Sequence, residues 1–81
     1  MQLEIITPDK KVYSGEVTSA TFPGVNGSFQ VLHNHAPIIS SLADGIVKYR
    51  DGNGEANLHV SGGIVEVKNN IITLLAESVL D

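Results

Sequence analysis

Eighty-one residues, 42% hydrophobic and 17% charged, supply material for one core and no second, which excludes a large or multidomain enzyme. Five Lys and Arg against nine Asp and Glu give a formal net charge of −4 with no basic run, which excludes the clustered phosphate contacts that nucleic acid requires. The absence of cysteine removes disulfides and thiolate zinc sites, and no apolar run approaches the roughly 18 to 20 residues of a membrane-spanning helix.

Isoleucine and valine make up 17 of the 34 hydrophobic residues, beside eight glycines and no tryptophan, a strand-and-turn composition. In chain order, Gln2 to Thr7 reads as a strand ended by Pro8-Asp9. Lys11 to Phe22 is too long for one straight strand, and Gly15 is expected to mark a bend or bulge. Pro23 to Gly27 is a turn in which Asn26-Gly27 tolerates positive φ. Ser28 to Leu32 follows with Phe29 and Val31 on one face, and His33-Asn34-His35-Ala36-Pro37 is a loop.

Ile38 to Leu42 and Ile46 to Arg50 are expected as separate strands around Ala43-Asp44-Gly45, with Asp51-Gly52-Asn53-Gly54 as a hairpin turn. Glu55 to Ser61 alternates cleanly, Ala56, Leu58 and Val60 facing one way. Beyond Gly62-Gly63, Ile64 to Lys68 and Ile71 to Ala76 form a last hairpin through Asn69-Asn70, leaving Glu77 to Asp81 as a tail with room for one helical turn. Short segments closed by glycine-rich turns predict an all-β, flattened sandwich or barrel in a single domain, residues 1–81. The opening Met1-Gln2-Leu3-Glu4 carries no secretory leader pattern, so the chain reads as soluble and unprocessed.

Candidate chemistry is sparse. His33 and His35 would point the same way on an extended backbone, as two metal ligands do, and Gly27 stands ahead of them as in a cupin motif. The glutamate and second histidine motif that a cupin needs are missing, which leaves only His59 and distant carboxylates as further ligands; no metal, cofactor or catalytic residue is expected. No serine lies in a Gly-x-Ser-x-Gly context, and Glu66 between Val65 and Val67 is expected to face solvent. Ser61-Gly62-Gly63 stands apart, since two consecutive glycines between good strands suit either a bulge or the close approach of another chain.

The run Asn26-Gly27-Ser28-Phe29-Gln30-Val31-Leu32-His33-Asn34-His35-Ala36-Pro37, followed by Val60-Ser61-Gly62-Gly63-Ile64-Val65-Glu66-Val67, resembles the epsilon subunit of the F-type ATP synthase, called delta in mitochondria. Leu3 to Pro8, Val12 to Gly15 and Ile72 to Glu77 extend the resemblance over essentially the whole chain. It implies a sandwich of two roughly five-stranded, mostly antiparallel sheets, without the C-terminal helical hairpin that usually follows. It further implies a non-catalytic central-stalk subunit of a proton- or sodium-translocating ATP synthase, peripheral to the bacterial inner membrane on its cytoplasmic side, clamping the gamma subunit to the polar loops of the c-ring.

Carried over by position, the resemblance assigns Asn26, Gly27, Ser28, Asn34 and His35 to the c-ring side. His35, Pro37, Ser40, Ser61, Gly62 and Gly63 fall to the gamma side. Ser28 stands where many members carry an acidic residue, Gln30 where they carry glycine and His33 where proline is common.

Overall fold

A computed structural model describes residues 1–80. The strands are β1 (Gln2–Ile6), β2 (Lys11–Glu16), β3 (Ser19–Gly24), β4 (Gly27–Leu32), β5 (Ile38–Asp51), β6 (Gly54–Lys68), β7 (Ile71–Ala76) and β8 (Val79–Leu80). β5 and β6 each run through a segment that the sequence divides in two. Ala43-Asp44-Gly45 and Gly62-Gly63 do not end strands; they bend both together, Leu42 pairing with Gly63 and Asp44 with Ser61 so that Ala43 and Gly62 drop out of register.

The bend turns one continuous ladder into two layers. The first half of β5 and second half of β6 continue through β7 and β1 to β2. The other halves continue to β3 and β4 on one side and to β8 on the other. Each layer therefore has five strands, as the family resemblance implies, with β5 and β6 counted in both. All pairings are antiparallel except β1 with β7.

Period-two alternation fills the space between the layers. In the first layer Leu3, Ile72 and Val67 form one register row and Ile5, Leu74 and Val65 the next, all buried. From the second come Ala20, Phe22, Val31, Val47 and Val60, and Phe22 packs on Phe29 with ring centroids 5.6 Å apart. Each fully buried Leu, Ile, Val or Phe contributes about 1.5–3 kcal/mol relative to exposure.

Three crossings link the layers at the ends of their strands. One is Val17-Thr18, where Val17 N–H donates to the Met1 carbonyl at 2.9 Å and Thr18 N–H to the Arg50 carbonyl at 2.8 Å. That crossing, not Gly15, divides the expected Lys11–Phe22 strand. Gly15 pairs regularly with Leu3, and its missing side chain leaves room for Tyr13, whose hydroxyl would lie 2.7 Å from an added Cβ. The others are the His33–Pro37 loop and Glu77-Ser78 between β7 and β8. The tail forms no helical turn, since Val79 and Leu80 pair with Val60 and His59; Asp81 lies outside the described residues.

Candidate functional site

The loop histidines do not converge. Asn34 adopts φ 60°, so the backbone between them is not extended and the two rings take different partners. His33 Nδ1 accepts from Asn70 Nδ2 at 3.3 Å, and His35 Nδ1 donates to the Ala36 carbonyl at 2.7 Å. His59, on β6, donates from Nε2 to Asp44 Oδ1 at 2.6 Å across the β5–β6 ladder. Among the described residues no group of three or more His, Asp or Glu side chains is arranged to hold a metal ion, so the cupin-like set His33, His35 and His59 is not assembled.

The remaining assigned residues separate into two clusters. At the bend, one register row runs Gly27, Gly24, Leu42, Gly63, Ala76, and Val25 N–H donates to the Ser41 carbonyl at 3.1 Å. This row brings the exposed Asn26-Gly27-Ser28 turn to the same end of the molecule as Ser61-Gly62-Gly63. Asn34, His35 and Pro37 lie past the other end of β4, roughly 17 Å away at about 3.4 Å per residue. Asn34 N–H there donates to Asn70 Oδ1 at 3.0 Å, which ties the loop to the β6–β7 turn.

Gly62 and Gly63 have reasons of their own within the chain. Both lie at positive φ, 114° and 149°, where an L side chain is strained. A Cβ on Gly63 would lie 2.4 Å from the Leu75 carbonyl oxygen, and one on Gly62 3.4 Å from the Leu42 carbonyl oxygen. The close approach that the paired glycines allow is thus made by β5 and β7 of the same chain. Ser40 shares a register row with the buried Val65 and Leu74, whereas its neighbour Ile39 points out.

A broader feature went unread in the sequence: the outer face of the first layer carries a continuous apolar row. Ser41, Ile64, Leu75 and Ile6 form one outer row, and Ile39, Glu66, Thr73 and Glu4 the next. Ile39 is 72% exposed, Leu75 53% and Ile64 49%. The signal was present as apolar doublets, Ile38-Ile39, Ile64-Val65, Ile71-Ile72 and Leu74-Leu75, because adjacent strand residues face opposite sides and only one of each pair can enter the core. The outer face of the second layer carries Lys48 beside Asn57, Arg50 beside Glu55 and Asp44 beside Ser61, with Ile46, Leu80 and Leu32 exposed singly among them.

At the margin of the apolar face Glu4 accepts from Ser14 Oγ at 2.5 Å and Gln2 Nε2 at 2.9 Å, with Lys11 Nζ at 3.2 Å. These partners, Ser14 first, lower its carboxyl to about 2. Elsewhere a cleft of about 390 Å³ opens between the Thr7–Lys10 turn and Glu77–Val79. What the arrangement offers chemically is docking area: an apolar row on the first layer, an exposed turn at the bend and a polar loop.

A family model described as ATP synthase, Delta/Epsilon chain, beta-sandwich domain, matches residues 1–81. The ATP synthase epsilon chain of Maridesulfovibrio salexigens is 47% identical over 75 residues, covering 93% of this chain and 53% of that one. That of Leptospira borgpetersenii is 39% identical over 77 residues, covering 95% and 61%. This chain thus spans between half and two thirds of the length of these relatives. Among solved structures, a chain of the Tetrahymena thermophila mitochondrial ATP synthase central stalk and c-ring superimposes with a TM-score of 0.85 at 18% identity, covering 99% of this chain and 65% of that one. A chain of the Euglena gracilis mitochondrial ATP synthase gives 0.89 at 21% identity, covering 96% and 51%. At these identities the structural likeness is one of fold.

Proposed function

The chain belongs to the delta/epsilon family of ATP synthase chains, matching that family's β-sandwich domain over residues 1–81, and we propose accordingly that it is a non-catalytic element of the central rotor, clamping the gamma subunit to the c-ring. The observation that carries this reading is the uninterrupted apolar row on the outer face of the first layer. On the first layer Ile6, Leu75, Ile64 and Ser41 form one continuous row without a charge, with Ile39 beside it, whereas on the second Ile46, Leu80 and Leu32 are separated by His59, Lys48 and Arg50. Apolar rows rimmed by polar groups mark protein interaction sites. In this reading the gamma subunit covers the apolar face and its Ile39 edge, close to Pro37 and Ser40. The exposed Asn26-Gly27-Ser28 turn meets the c-ring loops, with Asn34 and His35 at the margin nearer the β6–β7 turn.

Ion-driven rotation would then pass to the catalytic subunits through gamma, with no bond made or broken on this chain. No helix among the described residues is long and apolar enough to cross a membrane, and attachment to the cytoplasmic side of a bacterial inner membrane would come through the complex. The net charge of −4 favours orientation toward basic c-ring loops more than it adds affinity.

Titration of the chain with purified gamma subunit tests the proposal. Association is expected at low and moderate salt, and Ile64→Glu and Leu75→Glu are expected to weaken it by about tenfold or more while leaving the unfolding midpoint nearly unchanged. Lys48→Glu, on the opposite face, serves as the control and should have no effect. Absence of association under both salt conditions refutes the reading.

A further inference from the structure

One strand edge combines free main-chain groups with an exposed apolar side chain. In an antiparallel ladder the N–H and C=O of one residue face the neighbouring strand and those of the next face away. Ser41 identifies the outward set in the first half of β5, because its carbonyl accepts from Val25 N–H on the side away from β6. By the same alternation the Ile39 N–H, the Ile39 C=O and the Ser41 N–H face outward. Among the described residues none of the three has a main-chain partner, since β3 reaches this stretch only at the Gly24–Leu42 pair.

Edges are normally protected by charge, by proline or by covering chain. The β2 edge strand carries Lys11 and Glu16 and the β4 edge strand Ser28 and Gln30. The β5 edge carries Ile39, the most exposed large apolar residue among those described, with Pro37 only at its start. A shallow groove of about 420 Å³ runs beside it, lined by Pro37, Ile38, Ile39, Glu66, Val67 and Lys68.

We infer that the β5 edge from Ile38 to Ser41 is a strand acceptor, onto which a short extended segment of the gamma subunit adds as a further strand of the first layer. The inference rests on the partner reading above and specifies how the partner is held. A row of alternating N–H and C=O groups is matched by another extended main chain. The gap between Pro37 and the Val25–Ser41 bond limits the added segment to about three residues at 3.3 Å each. Its side chain opposite Ile39 falls on the outer face, continuous with Ile64 and Leu75, and is therefore apolar.

Amide hydrogen exchange on the chain, free and saturated with purified gamma subunit, tests this mode. The Ile39 and Ser41 amides should exchange quickly in the free chain and slow by roughly 100-fold or more in the complex. Those of Ile38 and Ser40, already paired to β6, should be slow in both states. Ser41→Pro removes one outward donor without touching the β6 ladder and should weaken the complex by about tenfold; should that variant not fold, the exchange measurement on the native chain decides. A complex in which the Ile39 and Ser41 amides exchange as in the free chain overturns strand addition and leaves the partner reading standing. Failure to form any complex removes both. Slowing of the same amides with rising concentration of the chain alone assigns the edge to a second copy and overturns the inference.

Discussion

The Tyr13 hydroxyl donates to Asp51 Oδ2 at 2.9 Å, tying edge strand β2 to the β5–β6 hairpin of the other layer. The Tyr13 and Tyr49 rings pack with centroids 4.5 Å apart. Asp51 Oδ1 meanwhile accepts from Asn53 N–H at 2.8 Å, so one carboxylate serves both the turn and the contact between layers.

Burial, the bond to Asp51 and that carboxylate's charge push the Tyr13 phenol up to about 12 from 10.0, and burial with the Asp51 charge raises Tyr49 as well. The fold therefore holds protons that the unfolded chain releases near pH 10. Their contribution to stability is full below about pH 10 and is lost as pH rises toward about 12. Tyr13→Phe is expected to cost about 1 kcal/mol at neutral pH and to flatten this alkaline limb, both readable from denaturant melts across pH.

Substitution at the bend should be graded by geometry. Gly63→Ala meets the Leu75 carbonyl oxygen at 2.4 Å from a left-handed backbone and is expected to cost about 3 kcal/mol or more. Gly62→Ala, with 3.4 Å to its nearest neighbour, should cost about 1–2 kcal/mol, while Gly52→Ala, with open space around it, stays within about 0.5 kcal/mol. Equal midpoints for all three in urea unfolding would contradict the account.

Acid behaviour turns on Glu4. Its carboxyl sits at about 2 in the fold against an ordinary 4.5, so its contribution is present above about pH 4.5 and is lost as pH falls toward 2. Glu4→Gln should make the acid limb of the stability profile shallower, and Ser14→Ala, removing the strongest of its partners, should move the Glu4 titration upward in an NMR pH series.

At the other end, Asn70 holds the β6–β7 turn at φ 63° and the His33–Pro37 loop through its side chain. Asn70→Gly keeps the left-handed backbone and loses only the tether, so the Asn34 amide should exchange faster with a small change in midpoint. Asn70→Ala loses both and should cost about 1–2 kcal/mol more than the glycine variant.

Strand content, the two hairpin turns and the cleanly alternating Glu55–Ser61 segment were legible because period-two patterns and Asn/Gly turn chemistry act over a few residues. The merging of Ile38–Leu42 with Ile46–Arg50 was not legible. Ala43-Asp44-Gly45 looks locally like a turn, and only the simultaneous bend at Gly62, 19 positions along, keeps it in the ladder. Gly15 misled for a related reason: its small size serves Tyr13 two residues away and leaves the backbone regular. The family signatures located the loops, yet they gave no sign of the apolar outer face, since in Leu74-Leu75 sequence alone does not say which leucine enters the core.

Because β5 and β6 pass from one layer to the other as unbroken chains, the layers cannot slide past each other as two separately stacked sheets can. Relative displacement would have to distort covalent backbone at Ala43 and Gly62, beside the point where β7 seals the corner through the Glu77 N–H to Gly62 carbonyl bond of 3.1 Å. A load applied to one face is carried to the other along two continuous strands, and side-chain friction across the core is spared.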